Sequence, residues 1–217
     1  VAIIPLIETG PPDDAGRALR EVWQRRQDFD WLALSSATAV EVLKPLFERS
    51  PVSSTLKVAA VGPATARALR QVGIAPALVG DGAGGAALAD LLEREALSGS
   101  VLIVAAQEGR PELAERLIGH GWRVEAVPGY TTRTRRLRPQ EREALVASDL
   151  VVLASPSAVA AYEEAVGPSN EGAAVLVTIG PTTAEAAREI STRVLVASSP
   201  DDDGLVEAVM RAIGGRR

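Results

Sequence analysis

The stretch IGPTTAEAA, residues 179–187, is a second writing of VGPATARAL, residues 61–69. Each copy ends a short apolar run, VLVTIG or VAAVG, and each leads into a helix pattern through a Gly-Pro turn. Proline is favoured at the first helical position, where its missing N–H has no partner to lose. The unit is therefore strand, turn, helix, written twice.

Working outward, the repeat grows. DWLALSSATAVEVL (30–43) parallels DLVVLASPSAVAAY (149–162), and PALVGDGAGGAALADLLE (76–93) parallels RVLVASSPDDDGLVEAVMRAI (193–213). VEAVPGYTTR (124–133) parallels the opening VAIIPLIETG (1–10). Only SVLIVAAQEGRPELAERLIGHGW (100–122) stands alone. Its twin would fall before Val1, so the repeat predicts that one strand and one helix, roughly 25–30 residues, are missing there. The expected strands are Ala2–Ile7, Trp31–Ser35, Lys57–Val61, Ala77–Val79, Val101–Ala105, Arg123–Val127, Leu150–Ala154, Ala174–Ile179 and Val194–Ala197. Short apolar runs alternating with helix patterns predict an α/β protein with parallel sheets buried on both faces.

Composition removes several chemistries. The 217 residues contain no cysteine and one histidine, His120, set between glycines as a helix-end residue. Disulfides, thiolate metal sites and histidine triads lack their parts, and a reducing cytoplasm suits the chain. Net charge is −5 and aromatics are 3% of residues, which argues against nucleic-acid partners. No apolar run reaches membrane-spanning length. No metal site is expected: the acidic run in SSPDDDG reads as helix capping.

The repeated turns carry chemistry. SSATAV and GPATA in one half, SPSAV and GPTTA in the other, bring hydroxyls to helix starts. Unpaired N–H groups and the helix dipole make such starts attractive to carboxylate or phosphate. One such serine or threonine is only a cap. Four hydroxyl-bearing turns in two matched halves predict a cleft for a polyanion. GYTTRTRRLRP (129–139) adds Arg133, Arg135, Arg136 and Arg138, read either as a solvated basic linker or as clamps for carboxylates. AQEGRPEL is either a plain turn or one that faces an anion through Gly109 and Arg110.

In this order, PLIE, DWLALSSATAV, AVGPATARAL, VPGYTT, LASPSAV, IGPTTAEAA and SSPDDDGLVEAV resemble the uroporphyrinogen-III synthase family. The resemblance spans the visible chain. It implies two α/β domains of flavodoxin-like topology joined by a two-strand linker, the first domain discontinuous. Residues 1–8 and 135–217 would form the first domain and 15–125 the second, with 9–14 and 126–134 as linker strands. It implies a cofactor-free lyase that dehydrates hydroxymethylbilane, inverts ring D and closes the macrocycle; a hinged two-domain cleft needs no partner, so a monomer is expected. Tyr130 would assist departure of the hydroxyl or orient it. Ser35, Ser36, Thr65, Ser155, Ser157, Thr182 and Thr183 would contact substrate. A non-catalytic polyanion-binding or regulatory protein on the same fold is the alternative, and product formation separates the two.

Overall fold

Alternating apolar side chains in strands of about four residues set the layering. The computed structural model describes every residue except Ser54, Ala83, 168–173 and 215–217. In chain order come β1 (Ile7–Gly10), α1 (Arg17–Gln24), β2 (Trp31–Leu34), α2 (Ala37–Arg49), β3 (Lys57–Ala60), α3 (Pro63–Gln71), β4 (Leu78–Val79) and α4 (Gly85–Glu95). Then follow β5 (Ser100–Ala106), α5 (Glu112–Gly119), β6 (Arg123–Thr134), α6 (Pro139–Val146), β7 (Leu150–Leu153), α7 (Pro156–Val166), β8 (Val175–Thr178), α8 (Pro181–Ile190), β9 (Val194–Val196) and α9 (Asp202–Gly214).

Two compact units divide the chain: Val1–Glu8 with Arg133–Arg217, and Thr9–Thr132. The chain passes between them within β1 and within β6. The sheet of the Thr9–Thr132 unit has the order β1-β6-β5-β2-β3-β4, and β2 pairs in parallel with both β3 and β5. Leu32 and Leu34 of β2 face the layer of α1, α2 and α3, while Trp31 and Ala33 face α4 and α5. All four are buried, as a strand covered on both faces requires. Asp30 ties the start of β2 to β5 by accepting from the Ser100 N–H at 2.8 Å and hydroxyl at 2.7 Å. The Ser100 hydroxyl bond is the largest cause holding the Asp30 carboxyl below its ordinary range.

The other unit holds the parallel sheet β7-β8-β9. Leu176 of β8 joins the core under α6, α7 and α8, and Val175 and Val177 face α9. β7 lies at an edge of this sheet, and its Val152 is exposed.

Two strands differ from the sequence expectation. Ala2–Ile7 was the expected first strand, but the ladder starts at Ile7 and ends at Gly10. Pairing with β6 decides the start, and Pro11 and Pro12, lacking N–H groups, stop the strand. β6 runs on to Thr134 rather than ending at Val127, because its later residues have β1 beside them.

Candidate active site

Strand register brings the repeated turns to one level in each unit. Leu34 is opposite Ala60, so Ser35-Ser36 and Gly62-Pro63 both begin just beyond the C-terminal ends of adjacent strands. In the other unit Leu153 is opposite Thr178, and Ser155 and Gly180-Pro181 follow in the same way. Each unit thus presents two neighbouring helix starts: α2 with α3, and α7 with α8. Strand ends of open parallel sheets are where such folds hold ligands.

The first turn of each pair is capped by serine. Ser36 accepts the Ala39 N–H at 3.1 Å, and Ser155 accepts the Ala158 N–H at 3.1 Å. The second turn of each pair has glycine at the cap with proline next. At Gly62 a Cβ would lie 2.8 Å from the Gly82 Cα, so the loop after β4 packs too closely for any side chain. Among the described residues nothing comparably close surrounds Gly180.

A bulge delivers Tyr130. Ala105 is opposite Pro128 but Ala106 is opposite Tyr130, which leaves Gly129 as the extra residue in β6. The insertion breaks the two-residue alternation and puts Tyr130 on the same core face as Val127. Gly129 is required there because a Cβ would sit 2.7 Å from the Val104 Cγ1. Pro128, which has no N–H to donate, is tolerated beside the bulge. Tyr130 is 7% exposed, and its hydroxyl lies 2.8 Å from the Ser36 Oγ. A groove of about 500 Å³, lined by Thr9, Pro12, Leu19, Arg20, Arg49 and Gly129 among others, also reaches Tyr130.

The remaining expected positions separate by exposure. Ser35 is half-buried and directs its hydroxyl at the Val104 carbonyl at 3.5 Å. Thr65 and Thr183 are third residues of α3 and α8 and are buried, at 2% and 4% exposure. Thr182 is half-buried and Ser157 is exposed.

A uroporphyrinogen-III synthase family model, HemD, matches residues 1–207. The chain belongs to that family. The family is that of a cyclising lyase of haem biosynthesis. The chain is 26% identical to the chloroplastic uroporphyrinogen-III synthase of Oryza sativa subsp. japonica, over 97% of its own length and 72% of that protein's. In fold it resembles a mutant uroporphyrinogen III synthase of the extremely thermophilic bacterium Thermus thermophilus, with a TM-score of 0.69 and 20% identity over 97% of this chain and 88% of that one. Uroporphyrinogen-III synthetase of Helicobacter pylori superimposes with a TM-score of 0.65 and 21% identity, over 96% and 92%.

Around this synthase-family scaffold, Arg135 and Arg138 of the linker are already engaged. Arg135 donates to the Pro5 carbonyl at 2.6 Å and pairs with Glu141 at 3.0 Å, and Arg138 meets the same carboxylate at 3.0 Å. The Arg138 side chain first, then the Arg138 N–H and Arg135, hold the Glu141 carboxyl down at about 2. Arg110 pairs with Glu112 at 3.6 Å. Asp201 accepts from the Gly204 N–H and the Ser199 hydroxyl, at 2.9 and 2.7 Å, at the start of α9. His120 ends α5. Sequence reasoning missed Gly129 and the pairing of Ser36 with Tyr130. The PGY triplet held the first signal; nothing local held the second, since 94 residues separate the partners.

Proposed function

We propose that this chain converts hydroxymethylbilane to uroporphyrinogen III, with its hydroxyl-bearing turns as the substrate-holding surface. The observation that carries the reading is the matched pair of helix starts in each unit, level with one another and furnished with Ser36, Thr65, Ser155, Thr182 and Thr183. Carboxylates of the substrate are bound by N–H groups and hydroxyls there, so an acidic chain of net charge −5 can hold a polyanion. Ser35 and Ser157 flank these turns as secondary contacts.

The reaction is a dehydration with ring closure. The substrate hydroxyl leaves as water, the terminal pyrrole carbon forms the closing bond, and the proton released there balances the one taken up. No oxidant or reductant is consumed. Uncatalysed closure gives the uninverted isomer I, so the protein's work is positioning the chain for inversion of ring D. Tyr130 assists departure of the hydroxyl. The account needs a single chain, no nucleic acid and no membrane; among the described residues no helix is long and apolar enough to span one. The absence of cysteine suits a reducing compartment such as the cytoplasm.

Steady-state kinetics on two variants test these roles. Tyr130→Phe should lower kcat while leaving measurable turnover, and Thr182→Ala should chiefly raise KM. Wild-type turnover by Tyr130→Phe removes the tyrosine from the chemistry. Unchanged constants for Thr182→Ala remove that turn from the site.

A further inference from the structure

Ser36 and Tyr130 share a hydrogen bond in which either hydroxyl could donate, and their chemistry orders the two. A serine oxygen has two lone pairs and one proton. One Ser36 lone pair takes the Ala39 N–H, and the Tyr130 hydroxyl lies 2.8 Å away. A phenol is a far stronger acid than an aliphatic alcohol, and its oxygen is the poorer acceptor because a lone pair is shared with the ring. The bond therefore favours Tyr130 as donor and Ser36 as acceptor. Both lone pairs of Ser36 are then filled, and its own proton is its one remaining hydrogen-bonding function. Among the described residues nothing accepts that proton.

Exposure points the same way. Tyr130 is almost fully buried, whereas Ser36 is half-buried at the start of α2. The positive end of that helix favours giving up a proton. The second half of the repeat supplies the control. Ser155 caps α7 with the same geometry, but the position equivalent to Tyr130 is Ile7, which has no hydrogen-bonding group. Its hydroxyl keeps a lone pair and can accept as well as donate.

Resting on the synthase reading above, we propose that Ser36 is the group that touches the departing hydroxyl, with Tyr130 as the positioning residue and proton reserve behind it. As the C–O bond breaks, its electron pair leaves with the oxygen. The Ser36 proton goes to that oxygen and completes a water molecule, while the Tyr130 proton moves to Ser36. Ring closure later releases a proton from the pyrrole carbon, which restores the phenol. The substrate loses one water and the protein ends unchanged.

Two measurements test this. In Tyr162→Phe protein, Tyr130 is the sole tyrosine, and the Fermi doublet of its ultraviolet resonance Raman spectrum distinguishes a donating from an accepting phenol. The expected signature is a strong donor, lost in Ser36→Gly; glycine is a tolerated N-cap, so the helix start survives. An acceptor signature, or no change in Ser36→Gly, overturns the wiring. In turnover, Ser36→Gly should lower kcat by about 10²-fold, Tyr130→Phe by less, and the double variant no more than Ser36→Gly alone. Ser36→Thr should restore most of the rate. A larger loss from Tyr130→Phe, or losses that multiply, would make Tyr130 the direct donor. A wild-type protein that forms no isomer III overturns the acid role together with the synthase reading, while the Raman signature still decides the wiring.

Discussion

The turn at Ser36 and the turn at Ser155 share a serine cap, its geometry and a place at the C-terminal end of a strand, yet they are built into different surroundings. β2 before Ser36 is flanked on both sides by parallel partners; among the described residues β7 before Ser155 is paired on one side. Ser36 meets a tyrosine hydroxyl, whereas the repeat places isoleucine at the equivalent position. Both halves carry the serine cap, but a tyrosine hydroxyl stands beside it in one.

The largest expected effects concern the supports beneath the turns. Leu34→Ala and Leu153→Ala each remove a fully buried leucine just before a serine turn, and such changes cost about 2–5 kcal/mol. Leu34, in a strand held on both sides, should fall at the upper end. Leu153, in an edge strand that can relax, should fall at the lower end. Trp23, Trp31 and Trp122 all lie in the Thr9–Thr132 unit, so denaturation followed by tryptophan fluorescence reads Leu34→Ala directly. Amide hydrogen exchange along β7 and β8 reads Leu153→Ala. Equal losses would mean that the open edge of β7 confers no freedom.

A second contrast separates the glycines. Gly62→Ala should destabilise by about 1–3 kcal/mol through its collision with the Gly82 backbone. Gly180→Ala, with open space around it, should stay within about 0.5 kcal/mol of wild type. Thermal melts of the two variants decide this, and a reversal would show that the turns are not packed as described.

The smallest effect is the pH dependence that Glu141 gives its unit. The Glu141 carboxyl sits at about 2, below its ordinary 4.5. Its contribution is complete above pH 4.5 and is lost as pH falls towards 2, because the folded form resists protonation more than the unfolded form does. Glu141→Gln should flatten that part of the stability profile, read by circular dichroism melts between the two values. A profile that keeps its slope would place the acid sensitivity elsewhere, with Asp30 as the next candidate.

Much of this architecture was legible because the informative signals were local. Ala174–Ile179 reads as a buried strand, formed as Val175–Thr178, and Pro181 reads as a first helical residue and Ser155 as a cap, from a few neighbouring letters. The repeat then aligned both sets of turns. What escaped depended on distance in sequence. The extent of β1 and β6 follows from their being neighbours, not from their own apolar pattern. Arg135 and Arg138 looked available for a ligand until Glu141 and the Pro5 carbonyl were seen to hold them. Tyr130 was legible as a candidate, but its orientation depends on Gly129, and its partner lies 94 residues away.

The most direct test supplies enzymatically generated hydroxymethylbilane to the protein and separates the oxidised products by chromatography. The account predicts uroporphyrin III as the dominant isomer. Isomer I alone, in the proportion formed without protein and with the fold intact, would contradict it.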